Sequence, residues 1–285
     1  MMKIEQIWSY PVKSMVGEVV TSSELTESGI VGDRVWATRD HEHGGIRGAK
    51  KLGGLMRFSA HTIDAADRLV EITFPDGSVM RTDHPDLDAR LSEVLGNSVS
   101  LQQLHDATDL DHYRRGASES DDILAELRKV FDRTEDEPLP DLGIFPPEVM
   151  EFESPPGTYH DCWPLMVMST SALRSLQEAV PAANADVKRF RPSIVIDTGD
   201  AVGHPEFLWK GQRATLGAAE IEFLDPCPRC VMVTRAINDD IAEDRSLLRH
   251  IVRDLNQNVG VYARVVVPGK LSIGDELSFK THHLA

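Results

Sequence analysis

The chain is poor in cysteine, in aromatic side chains and in cations. Three cysteines in 285 residues, an odd count, make no disulfide framework. In a reducing compartment a close pair of thiols points instead to metal or to chemistry. Lys and Arg number 30 against 46 Asp and Glu, a formal net charge of −16. That field repels nucleic acid and anionic membrane, so neither is expected as a partner, although a small basic pocket remains compatible with it. No apolar run reaches the ~18 residues of a spanning helix. The opening MMKIEQIWSYPVKS lacks the basic-then-apolar pattern of a signal peptide, and cytoplasmic residence is the expectation. What is present is a globular composition, 41% hydrophobic, long enough for one large or two ordinary domains.

Periodicity predicts a mainly β protein with a few helices. Residues 1–105 read as strands (KIEQIWSY, GEVVTSSEL, DRVWATRD, RFSAHTID), a hairpin LVEITFPDGSVMRT and a short helix LDARLSEVLG closed by Gly96. Residues 106–156 are rich in Asp, Glu and Pro and read as a partly ordered connector holding one amphipathic helix, DDILAELRKVF. From residue 157 strands return: WPLMVMST, RPSIVID, RATLGA, AEIEFL, CVMVT and VYARVVV, then the final VPGKLSIGDEL. Helices are expected at SALRSLQEAV, capped by Ser169 or Thr170, and at SLLRHIVRDL. Many short strands with few helices predict a barrel or closed sheet rather than a βαβ fold.

The chemistry is concentrated at DPCPRCVMVT, residues 225–234. Cys227 and Cys230 admit four readings. A structural zinc site would take Cys162 and His160 as further ligands, but no second CxxC or HxxxH is present. A thioredoxin-like pair needs a helix N-terminus, and the residues after Cys230 favour a strand. A zinc deaminase would use His204 and Glu206 of HPE with the PCPRC thiols, yet neither motif opens a helix here. In the fourth reading one thiolate is the sole protein ligand of a metal carried by an organic cofactor, with Arg229 beside it favouring the ionised thiol. An anionic cofactor would then need cations from elsewhere. Lys13 in YPVKS, Arg34 in GDRVW and Arg191 in FRPSIV are candidates, with Ser14 as a short donor beside Lys13; Lys13 and Arg34 taken singly read as ordinary solvated strand-end charges.

YPVKS, GDRVW, FRPSI, PCPRC and GVYARVVVPGKLSIGDEL, in that order from about residue 3 to 279, resemble the MOSC proteins with an N-terminal MOSC-type β-barrel domain. These are bacterial relatives of the mitochondrial amidoxime reducing component. The resemblance implies a smaller N-terminal β-rich α+β domain (1–105), the connector (106–156) and a β-barrel MOSC domain (157–285). It implies molybdenum cofactor (molybdopterin) binding, with Cys230 as molybdenum ligand and the residue that carries catalysis. Lys13, Ser14 and Arg34 would contact the cofactor phosphate, Arg191 the pterin, and Ser169 or Thr170 is a further pterin contact. Arg47 and Lys50 fall near the cofactor mouth. The implied activity is reduction of N-hydroxylated compounds by oxygen-atom transfer to molybdenum. The alternative is a cofactor carrier or sulfur-handling module without turnover, and the zinc deaminase stands third. TRAINDDIAEDRS departs from the family's turn after PCPRC, at a loop placed to shape the substrate entrance, so the resemblance does not fix the particular substrate. With no cysteine cluster for an iron–sulfur centre and no haem motif, electrons are expected from a separate flavin or iron–sulfur reductase. Tyr262 or Asn258 would orient substrate or serve structure. Cys162 and Cys227 are expected to be structural, and His41, Glu42 and His43 to lie in a solvated loop.

Overall fold

The computed structural model describes residues 1–118 and 120–280. Strands dominate. In chain order they are β1 (Lys3–Ser9), β2 (Glu18–Val20), β3 (Ser22–Thr26), β4 (Gly29–Ile30), β5 (Trp36–Asp40), β6 (Ser59–Asp64), β7 (Leu69–Thr73), β8 (Val79–Arg81) and β9 (Val99–Gln103), with α1 (Leu87–Leu95) between β8 and β9. The connector holds α2 (Leu110–Tyr113) and α3 (Ile123–Phe131). Then come β10 (Leu165–Ser169), α4 (Thr170–Ala179), β11 (Ile194–Asp197), β12 (Arg213–Leu216), β13 (Ala219–Pro228), α5 (Ser246–Asp254), β14 (Asn258–Val267), β15 (Gly269–Ser272) and β16 (Leu277–Phe279). The mainly β class is as expected. No helix among the described residues is long and apolar enough to cross a membrane.

The largest sheet has eight strands in the order β16-β12-β13-β14-β10-β11-β1-β2. It closes on itself where the Ile4 amide donates to Asp275 O and the Leu277 amide donates to Met2 O, both within 3.0 Å. β1 and β2 therefore complete a sheet otherwise built from residues 165–279, and β3 pairs with β15. The interior carries Ile4, Ile7, Val167, Ile196, Ile221, Phe223 and Val261, all essentially inaccessible. A second core lies under β6–β8 and α1, and it is finished by Met232, Ile237 and Ile241 from the far end of the chain.

Four features differ from the sequence expectation. β10 and β11 are parallel, joined through α4, so one βαβ unit is embedded in the closed sheet. The connector is folded: Tyr113 and Phe131 are buried, and Arg133 reaches across to the C-terminal half. A 3-10 turn occupies Pro205–Trp209, where no helix was expected. The segment CVMVT is not a strand. β13 runs on through the DPCP residues, with register shifts at Pro226 and Pro228, which have no amide proton to offer the ladder. The chain then leaves the sheet, and Val231–Thr234 form a 3-10 turn with Cys230 at its N-cap. All four residues of that turn are buried, so packing, not intrinsic strand preference, sets its conformation.

Gly17, between β1 and β2, has no room for a side chain. A Cβ there would stand 2.0 Å from Ser9 O and 2.6 Å from the Tyr10 ring. Gly17→Ala is expected to destabilise the fold at the upper end of the about 1–3 kcal/mol typical of overpacking, read as a lower urea midpoint. An unchanged midpoint would refute this packing.

Candidate functional site

β1 ends at Ser9 because Pro11 cannot extend the ladder. The next residue, Tyr10, becomes a platform on which two distant segments meet. The Arg191 guanidinium carbon sits 4.2 Å from the ring centroid and that of Arg34 5.3 Å, cation–π distances that help hold both. The Tyr10 hydroxyl donates to Pro192 O at 2.9 Å. Its amide donates to the Asp33 carboxylate at 2.7 Å, and its carbonyl accepts from the Arg34 amide at 2.7 Å. Arg34 also pairs with Asp33, and Arg191 donates to Met15 O.

Ser14, Arg34 and Arg191 all adopt left-handed backbone, with φ of 70°, 49° and 57°. Each costs on the order of 1–3 kcal/mol for a non-glycine residue, and such strain collects where surrounding structure has a use for it. Two guanidinium nitrogens in this region, Nη2 of Arg191 and Nε of Arg229, are buried without a hydrogen-bond partner. An unsatisfied buried donor costs about 1–3 kcal/mol. Burial pulls Arg191 down to about 10, with Arg34 adding to the shift. The Gly48 loop lies directly on this turn: the Ala49 amide donates to Ser14 Oγ at 2.9 Å, and a Cβ on Gly48 would come 2.7 Å from that oxygen.

Lys13 is buried, and its ammonium donates to Asp161 at 2.6 Å, to Tyr159 O at 2.8 Å and to Ser154 Oγ at 3.2 Å. The other oxygen of Asp161 takes Lys50 at 3.0 Å. Burial lowers the Lys13 amine, and Asp161 offsets only part of that. Burial would likewise lower Lys50, but Asp161, then Cys230 and Glu153, raise it overall. Burial would raise the Asp161 carboxyl, yet Lys13 and Lys50 together hold it well below the usual carboxylate range. Cys230 is half-buried and packs against the same core that takes in Val12, Met15 and Ala49, within electrostatic reach of Lys50.

Arg229 does not lean on Cys230, as the sequence suggested. Its Nη1 donates to Cys227 Sγ at 3.1 Å and its Nη2 to Phe190 O at 2.7 Å. Its charge still feels Cys227 first and Cys230 second. The cause is the bend after Pro228, which turns the Arg229 side chain back toward β13. Cys162 and Cys227 are buried around Tyr262, and burial pushes the Cys162 thiol up to about 12. From the connector, Arg133 donates to Arg229 O at 3.0 Å and to Gln257 at 3.1 Å, so the Cys230 turn is held from both sides. A cavity of about 430 Å³, lined by Phe58, Phe74, Lys188 and Ile237 among others, does not include Cys230.

Two family models match this chain: the MOSC N-terminal beta barrel domain over residues 1–114 and the MOSC domain over residues 155–278. It is a MOSC protein. The chain is 22% identical to mitochondrial amidoxime reducing component 2 of Macaca fascicularis and 23% identical to that of Bos taurus. Each match covers 95% of this chain, and respectively 82% and 81% of the relative. Among solved structures, the YUAD protein from Bacillus subtilis is 12% identical with a TM-score of 0.46, covering 99% of this chain and 98% of that one. YiiM from Geobacillus stearothermophilus covers 43% of this chain and 57% of that chain, at 13% identity and a TM-score of 0.31.

In this MOSC protein, Lys13, Ser14, Arg34, Arg191, Arg229 and Cys230 thus gather at the seam between the two matched regions. Ser169 and Thr170 are engaged elsewhere. Ser169 caps α4 at the Ala172 amide and donates to Glu206 at 2.5 Å, and Thr170 meets Thr198 at 3.3 Å. Neither zinc set assembles. His160 donates to Ser28 O, His204 and Glu206 pair with one another at 3.5 Å, and the metal-capable donor triple found among the described residues contains none of the cysteines. Arg47 pairs with Asp40 at 3.1 Å. Tyr10, Asp161 and Arg133 escaped notice in the sequence. Tyr10 stands in YPVKS itself, whereas Asp161 acquires meaning only through a lysine 148 positions earlier.

The buried imidazole of His160 yields a pH dependence. Burial, with help from Arg34, pushes it down to about 3. An unfolded histidine titrates near ~6.5, so between these values the unfolded chain binds more protons and stability rises with pH. Asp161 acts in the same sense lower down: its contribution is present above ~3.9 and lost as pH falls through its depressed folded value. Urea midpoints are expected to fall steadily on acidification below about pH 6.5. His160→Gln should flatten the upper part of that slope only. Midpoints constant down to about pH 4 would contradict the assignment.

Proposed function

We propose that this MOSC protein binds the molybdenum cofactor at the seam, with Cys230 as the metal's protein ligand, and reduces N-hydroxylated compounds. The observation that carries the reading is a linked set of buried cations from separate segments, in a chain of net charge −16: Arg34 and Arg191 on the Tyr10 ring, Lys13 and Lys50 on Asp161, and Lys50 and Arg229 within electrostatic reach of the half-buried Cys230. Three site residues are held in strained backbone, and two guanidiniums keep an unmet donor. That donor set fits a large anionic ligand carrying a phosphate and a soft metal. The resemblance to the amidoxime reducing component supports the same reading.

Ser14 and Arg34 would meet the phosphate as short donor and fork, while Lys13 contributes charge through the Ser154 contact, its longest and most replaceable one. Arg191, stacked on Tyr10, would lie along the pterin. Lys50 and Arg229 keep positive charge near the Cys230 sulfur. When bound, the cofactor supplies oxygen-atom transfer, which cleaves an N–OH group to N–H and water with two electrons and two protons. The electrons would come from a separate reductase, and a reducing cytoplasm suits three free thiols. The protein's share is binding, orientation and charge.

Protein produced in cells that make the cofactor should carry near-stoichiometric molybdenum and pterin, and reduce a simple hydroxylamine with an artificial electron donor. Cys230→Ala should lose molybdenum and turnover together. Lys13→Ala should weaken cofactor retention by about 1.5–3 kcal/mol, the worth of a hydrogen bond to a charged group. Cofactor binding without turnover across a panel of N-hydroxylated substrates would leave a carrier. Undiminished molybdenum in Cys230→Ala would end the proposal.

A further inference from the structure

A second group of chemistry-bearing side chains lies where the N-terminal half meets the connector, and the seam makes no use of it. His105 follows β9, Asp109 is the N-cap of α2, and His112 lies within α2. One donor atom from each lies within 4.8 Å of the other two. The imidazoles of His105 and His112 stack with centroids 3.6 Å apart and planes 10° from parallel. Nδ1 of His105 is 2.8 Å from Asp109 Oδ2, and Asp109 Oδ1 accepts from the His112 amide at 3.4 Å, so the helix start orients the carboxylate.

The buried member fixes the chemistry. His112 Nε2 is 2.6 Å from the Tyr159 hydroxyl. That hydroxyl has one proton and gives it to Gln103 O at 2.9 Å, an oxygen that can only accept. The Tyr159 oxygen must therefore accept from His112. The ring proton sits on Nε2, and Nδ1 is left with a bare lone pair. An outer partner that fixes the tautomer in this way is what prepares an imidazole for a metal. Burial, then the neighbouring His105, keep His112 neutral, pulling it down to about 4.

We propose that His105, Asp109 and His112 form a binding site for a divalent transition metal, zinc being the ion that suits them. The two imidazoles are borderline nitrogen donors that favour zinc over magnesium or calcium, a carboxylate is an accepted third zinc ligand, and three protein ligands leave a fourth tetrahedral position for water. Two rings stacked face to face cannot aim in-plane lone pairs at one ion, so ligation turns His105 edge-on. Its side chain, 39% exposed, has the freedom to do so. A bound ion would tie the end of β9 to the connector and, through Tyr159, to the segment that carries Asp161.

The test uses the full chain, stripped with a chelator. Zinc is titrated by calorimetry and cobalt by visible spectroscopy. One zinc per chain is expected, with a cobalt spectrum free of sulfur-to-metal charge transfer. His105→Ala and Asp109→Asn alter partly exposed positions, and circular dichroism should show both folded. Each should weaken zinc at least about tenfold, while Cys230→Ser leaves it unchanged. Zinc affinity unaltered in both variants would overturn the site. So would a charge-transfer band that vanishes in Cys230→Ser, or no zinc binding at millimolar concentration.

Discussion

Asp161 stands between two lysines, and the seam depends on that bridge. Lys13 comes from the turn after β1 and Lys50 from the loop after β5, while Asp161 belongs to the segment that leads into β10. Two ammonium groups brought this close would repel one another and resist burial. One carboxylate shared between them cancels most of that cost and binds the early turns to the later half. Lys13 is enclosed while Asp161 is 43% open to solvent, so the bridge is firm on one side and hydrated on the other.

A second constraint is the position of the sulfur itself. Proline at 226 and at 228 starves the β13–β14 ladder of donors, and the strand lets go of the sheet two residues before Cys230. The turn that follows is buried, and the carbonyl of Arg229 is gripped by Arg133 from the connector. Cys230 is therefore presented from a short rigid bend. Cys227, two positions before Arg229, stays inside with the arginine bonded to its sulfur. The two thiols of one CxxC thus live in different surroundings, which explains why no symmetrical use of the pair appears.

Much of the site was legible because residue types announce the chemistry. Lysine beside serine after a proline-terminated strand, arginine before a strand and closely spaced cysteines can be read without a fold. The mainly β class followed from alternation. What stayed hidden depends on distance in sequence. Asp161 looks like any acidic loop residue until Lys13 and Lys50 are brought to it. Val231 to Thr234 have the composition of a strand, and only the broken ladder and the burial of all four explain a helical turn. The connector looked loose because it is acidic and proline-rich, yet Tyr113, Phe131 and Arg133 anchor it. Ser169 was legible as a cap, and capping together with Glu206 occupies its hydroxyl.

The placement of β1 has a consequence for dissection of the chain. It lies between β11 and β2 in the large sheet, with its first residues on the segment leading into β16. A fragment beginning near residue 155 would lack that stave, leaving β11 bare along a full edge and the ring unclosed. Bare edges recruit other strands, most readily those of an identical molecule. The boundary between the two matched regions marks a division of sequence, while the closed sheet belongs to the undivided chain.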